Sequence, residues 1–115
     1  MHTITFYPKS TPSLDEVKEF VQSFPEGDWV TEKGVGRGVI ESDDGRIYLD
    51  YDDHYREYFD KYLDEQQRVE LTARLGFSPT VAVHVHASHA YQHSQELAQA
   101  VCDSLANEWG GGWSE

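Results

Sequence analysis

Residues 41–65, ESDDGRIYLDYDDHYREYFDKYLDE, decide how the chain is built. Ser42-Asp43-Asp44-Gly45 is a turn signal, with Asp-Gly set between two alternating runs. From Arg46 to Asp52 the alternation is unbroken: Ile47, Leu49 and Tyr51 face one way, Tyr48, Asp50 and Asp52 the other. Such a strand packs one face and displays carboxylates on the other. Asp52 or Asp53 is then placed to cap a helix through its side-chain oxygen. On that helix Tyr55, Tyr58, Phe59 and Tyr62 share a face, while Glu57, Asp60 and Asp64 turn away from it. Asp64 and Gln67 have the spacing of a further capping box, with Gly76 as the stop, so residues 54–75 form one bent helix or two.

Upstream, His2 to Tyr7 alternates with Ile4 and Phe6 on one face and reads as a half-buried strand ended by Pro8. Ser13 and Glu16 form an S-x-x-E capping box ahead of Leu14, Val17, Phe20, Val21 and Phe24 at helical spacing. Pro25 and Gly27 stop that helix. Residues 28–41 read as two strands about a glycine-rich turn. Gly34, Gly36 and Gly38 do not make a phosphate loop, because the third glycine is misplaced and strand, not helix, follows. Downstream, Val81, Val83 and Val85 alternate with Ala82, His84 and His86 in the clearest strand of the chain. Ser94 is a good N-cap for a helix whose apolar stripe is Leu97, Ala98, Val101, Cys102, Leu105 and Trp109. Gly110 to Gly112 end it, and Trp113 starts a short last strand or folds back.

Strands joined mostly by hairpins and interspersed with helices imply an α+β domain of two layers. The expected sheet is mixed, mostly antiparallel, of five or six strands, covered on one face by about three helices. At 115 residues the chain is one domain, 1–115, able to bury roughly two thirds of its unfolded surface without disulfide or metal. The apolar fraction is only 38%, but fifteen aromatic residues supply much of the core. A single cysteine, Cys102, excludes a disulfide framework and a multi-thiolate zinc site; on an apolar stripe it reads as a buried structural thiol. The start lacks a basic segment followed by an apolar run, and no stretch reaches the length of a membrane span, so the expected location is cytoplasmic.

Charge narrows the function. Residues 41–65 hold ten carboxylates against three cations, a local balance of −7 within a chain of −12. The interleaved tyrosines separate this stretch from a disordered acidic tail and mark a folded negative surface. Such a surface repels nucleic acid and anionic membranes and suits a basic protein. The candidate contact residues are Asp50, Asp52, Asp53, Glu57, Asp60 and Asp64, with Tyr48 as the aromatic anchor beside them.

Candidate chemistry is sparser. Asp50 and Asp52 share a strand face, but acid/base catalysis needs a cleft and environments that separate two carboxyl pKa values. No G-x-S-x-G elbow or triad spacing is present, and the expectation is a non-enzymatic protein. His84, His86 and His89 stand in the spacing H-x-H-x-x-H, which matches the histidines of the metallo-β-lactamase zinc signature. Ser88 occupies the aspartate position and the chain is about half the length that fold needs, so that family is set aside. A simpler zinc site on His84 and His86, with His89 and carboxylates completing it, is the alternative function. A homodimeric domain is a third.

In class and composition, not in any motif, the chain resembles the immunity proteins of bacterial toxin systems. These are small, acidic, cytosolic proteins that bind and neutralise a cognate toxin, often a basic nuclease. The resemblance implies an inhibitor acting through the Asp/Glu/Tyr face, as a monomer or homodimer, and carries no specific residue over.

Overall fold

Ile4, Phe6, Ile40, Ile47, Leu49, Val83 and Val85, the inward residues of four strands, are all essentially inaccessible to solvent and meet in one core. The structure, a computed structural model, describes residues 2–42 and 44–114. Asp43, one of the two turn aspartates, lies outside the described residues. The elements run β1 (His2–Pro8), α1 (Leu14–Gln22), β2 (Gly27–Glu32), β3 (Val35–Ser42), β4 (Gly45–Asp52), α2 (Tyr55–Tyr62), α3 (Glu65–Leu75), β5 (Ala82–Ala87), α4 (Ser94–Trp109) and β6 (Gly111–Ser114). The strands form a six-stranded sheet in the order β2-β3-β4-β5-β1-β6, and each of these pairings is antiparallel. The fold is α+β, as its patterning predicts.

One face of the sheet is covered by α1 and α4. Val21, Ala98, Val101, Cys102 and Leu105 pack there against the inward strand residues, with Phe20, Trp29, Trp109 and Trp113 closing the margins. Cys102 is buried, as expected of a structural thiol. The Ser13–Glu16 capping box forms in both directions, each side chain satisfying a free amide of the other residue. The glycine-rich stretch is a hairpin: Lys33 and Gly34, both at positive φ, make the two-residue turn between Glu32 and Val35.

Residues 54–75 are two helices. Leu63 and Asp64 are extended, with ψ of 137° and 172°, so the helical hydrogen bonding breaks there. Asp64 and Gln67 then cap α3 reciprocally at 2.8 and 3.0 Å, and α3 stops at Gly76. Arg68 donates to the Leu63 carbonyl at 2.6 Å, satisfying an acceptor at the open end of α2. These helices leave the first layer. Tyr55 and Phe59 pack on Tyr7 and Ala82, on the sheet face away from α1 and α4, with Leu63, Leu71, Leu75 and Phe77 around them. Two helices therefore cover one face, and two stand over one end of the other. On that face Tyr7 and Ala82 supply the apolar surface against which the buried side of α2 packs.

Two expected caps are used differently. Asp52 stays in the β4–β5 pairing opposite Ala82, so its carboxylate accepts from the His54 amide at 3.0 Å and α2 starts without a side-chain cap. Ser94 is the first residue of α4, not its cap. It is buried, and its hydroxyl accepts from the Arg46 amide at 3.0 Å, tying the helix start to β4. No helix among the described residues is long and apolar enough to cross a membrane.

Candidate functional site

Antiparallel register sets the polar face. Thr3 and Thr5 of β1 lie opposite His86 and His84 of β5, and these lie opposite Tyr48 and Asp50 of β4. Because side chains alternate, Asp52 and Ala82 fall on the same face, as does Tyr7. Cross-strand neighbours on one face are within hydrogen-bonding reach, and the result is two diagonal Thr–His–Asp rungs.

The first rung is tight. Arg37 forks Asp50, Nε to Oδ1 at 3.0 Å and Nη2 to Oδ2 at 2.8 Å. His86 Nε2 lies 2.9 Å from Asp50 Oδ2, and its Nδ1 lies 2.9 Å from the Thr3 hydroxyl. A carboxylate only accepts, so Nε2 carries the proton and, in the neutral ring, Nδ1 accepts from Thr3. The Arg37 guanidinium also stands 4.9 Å over the Tyr48 ring. The His86 hydrogen bond, with the arginine fork, outweighs burial and holds the Asp50 carboxyl at about 2, below its ordinary 3.8. Stability from this depression is fully present above about pH 4 and is lost as the pH falls through about 2. With 37% of the side chain exposed, solvent screening reduces the contribution to about 1 kcal/mol. Asp50→Asn should therefore flatten the pH dependence of unfolding free energy between pH 4 and 2 by about that amount. An unchanged slope in urea unfolding would show that Asp50 is not held this way.

The second rung is slack. Thr5 Oγ1 is 3.2 Å from His84 Nδ1, and His84 Nε2 is 3.6 Å from Asp52 Oδ2, beyond a hydrogen bond. The two imidazoles lie 6.4 Å apart at 27°. Next to this rung the sheet and the α2–α3 pair enclose a cleft of about 640 Å³. Thr5, Tyr7, Asp52 and His84 form its sheet wall. Tyr55, Tyr58 and Leu63 line it from the α2 side, and Gln67, Glu70, Leu71 and Arg74 from α3. That volume is in the range of small-molecule and side-chain receptor sites. The buried hydroxyls of Tyr7 and Tyr55 lie 3.4 Å apart, and Tyr7 reaches Ser114 at the same distance. Burial foremost, then the Tyr7 hydroxyl, with Asp52 among the lesser charges, raises the Tyr55 phenol well above its ordinary value.

The expected contact residues divide accordingly. Tyr48 lies beneath Arg37 and Arg46 and is not a free anchor. Asp50 is committed to the first rung, and Asp64 to capping α3. Asp53 is exposed beside His54 at 3.3 Å. Glu57 pairs with Lys61 at 2.8 Å and Asp60 with Arg56 at 3.4 Å, both along exposed α2. The lysine holds the Glu57 carboxyl below its ordinary range. Asp52 faces the cleft. On α2 the tyrosines offered to solvent are Tyr58 and Tyr62, 47% and 74% exposed, with rings stacked 5.5 Å apart.

Of the candidate metal ligands, His84 and His86 share the polar face, while His89 lies in the exposed loop beyond β5. Among the described residues no three His, Cys, Asp or Glu side chains are grouped to hold a metal ion. Sequence reasoning missed Arg37, hidden in a glycine-rich strand, and the α3 wall of the cleft, whose members come from a helix with no periodic link to the sheet. Comparison with family models, curated proteins and solved structures gives no match.

Proposed function

We propose that this is a non-enzymatic acidic binding protein of the immunity type, an inhibitor that neutralises a basic protein such as a toxin or nuclease. The observation that carries it is the stacked pair Tyr58–Tyr62, held out to solvent on a helix bordered by Asp52, Asp53, Glu57 and Asp60. Stacked tyrosines are costly to leave in water, have little rotamer entropy to lose and make effective interface anchors. The α2 ion pairs weaken the simplest form of this reading, because Lys61 and Arg56 offset Glu57 and Asp60 at short range. Exposed pairs of that kind are worth at most about 1 kcal/mol, so a partner's lysine or arginine exchanges into them at small cost. Asp52 and Asp53 add negative charge that no lysine or arginine among the described residues pairs with. The contact surface thus centres on α2 and the end of β4, with Tyr58 and Tyr62 in the role expected of Tyr48.

The test is affinity capture from the cells that make the protein, followed by kinetics with the purified partner. The expected partner is basic, and association slows by about tenfold or more between low and moderate salt. Tyr58→Ala with Tyr62→Ala should weaken the complex by roughly 2 kcal/mol or more. A partner that binds independently of salt and of both tyrosines sinks the proposal. So does a stable homodimer that buries them.

A further inference from the structure

The two rungs of the polar face serve as each other's control. In the first, a carboxylate of β4 is forked by a guanidinium that lies over a tyrosine ring, with a histidine sharing its Oδ2. The second repeats the carboxylate and histidine two residues along the same strands and takes its ring from α2. Asp52 is the carboxylate, His84 the histidine, and Tyr58 the ring that shares the cleft with them. It differs in having no arginine on its carboxylate, Arg74 lining the cleft from α3 without pairing with Asp52. The β3–β4 register runs from Ser42↔Gly45 to Gly38↔Leu49, so Arg37 reaches Asp50 from just past its end. Among the described residues no lysine or arginine pairs with Asp52.

Hydrogen-bond lengths follow the same division. Around Arg37 they are 2.8–3.0 Å, whereas the cleft-side contacts of Thr5, His84, Tyr7 and Tyr55 are 3.2–3.6 Å. Asp52 Oδ1 accepts from the His54 amide at 3.0 Å, but Oδ2 and the hydroxyls beside it keep capacity that the contacts of the wall do not use well.

We propose that this cleft is the receptor for one arginine side chain of the basic partner, its guanidinium paired with Asp52 and lying on Tyr58. The proposal rests on the binding function argued above and assigns a place within it. Leu63 and Leu71 provide apolar surface for the methylene stem, and Glu70 a second carboxylate. A planar guanidinium suits a carboxylate and a ring together better than an ammonium does. Arg74 and His84 also line the cleft, and Arg74 restricts it to a single cationic head by repelling a second.

The test titrates the full chain with N-acetyl-arginine amide and, as a neutral near-isostere, N-acetyl-citrulline amide, following backbone and histidine-ring signals by NMR. Saturable shifts at His84 and Tyr58 are expected with the arginine probe only. Asp52→Asn should weaken binding by about tenfold or more, and Asp103→Asn, exposed on α4 over the other face of the sheet, by no more than about twofold, although both remove one charge. Tyr58→Ala, at a half-exposed position, should weaken it as well, and Arg74→Gln should strengthen it. Equal binding of the citrulline probe, equal losses from the two aspartate variants, or shifts spread over the acidic surface would overturn the assignment. Should Asp52→Asn disturb the His86 signals, Tyr58→Ala and Glu70→Gln decide in its place. Capture of a basic partner without probe binding refutes the cleft alone. Probe binding with no basic partner leaves the cleft standing and refutes the inhibitor reading.

Discussion

Gly111→Ala should destabilise the protein by roughly 3 kcal/mol or more, lowering the melting temperature by about 10 °C or more. Gly111 opens β6 at φ +111°, where an L side chain is strained by about 1–3 kcal/mol. A Cβ there would lie 2.0 Å from the Tyr7 carbonyl oxygen, a backbone atom of the adjoining strand. Relief requires β6 to move away from β1, breaking the pairing from Thr5↔Ser114 to Pro8↔Gly111. Trp113 would then leave Phe6, and Ser114 the Tyr7 hydroxyl. Gly76→Ala is the matched comparison: φ is +84°, but nothing lies within 4 Å of the added carbon, so only backbone strain of about 1 kcal/mol is expected. Similar losses for the two variants in denaturant unfolding would mean that β6 does not pack on β1 as described.

Tyr55→Ala should release α2 and α3 from the sheet without unfolding the rest. Tyr55 is the centre of the second, smaller core, edge-on to Tyr7 at 5.2 Å and buried with Phe59 and Ala82. Truncating a buried aromatic costs about 3–5 kcal/mol, and of the buried side chains in this cluster α2 supplies only Tyr55 and Phe59. The main core, built on α1 and α4, shares none of these residues. Amide protection in α2 and α3 should fall by about a hundredfold or more, while β1, β4 and β5 keep theirs. Tyr55→Phe should cost under about 1 kcal/mol, because the hydroxyl it removes makes only a 3.4 Å contact. Loss of protection spread evenly over all strands would show one cooperative core instead of two. The variant would also abolish the cleft, which exists only while those helices stand over Thr5 and His84.

Much of this architecture was legible before any coordinates, and for a common reason. Which face a residue takes follows from backbone geometry alone, so Ile47, Leu49 and Tyr51 against Tyr48, Asp50 and Asp52, or His84 and His86 together, could be read from period two. Capping boxes at Ser13–Glu16 and Asp64–Gln67 are equally local, because each closes within one helical turn. Ser94 misled because it resembles a cap, while its hydroxyl serves an amide 48 positions away.

The sequence by itself determined most of the elements, though not the break between α2 and α3 or the strand β6, together with the sides of the central strands, the buried Cys102 and the excess of negative charge. Only the tertiary structure decided where that charge is free to act. The α2 pairs, Glu57–Lys61 and Arg56–Asp60, lie four residues apart and are local, whereas the pairing of Asp50 and the covering of Asp52 depend on strand order and on which helix lies over which face. Arg37 takes up Asp50, Arg56 and Lys61 accompany the α2 acids, and Asp52 is left facing a cleft made by residues from five separate elements.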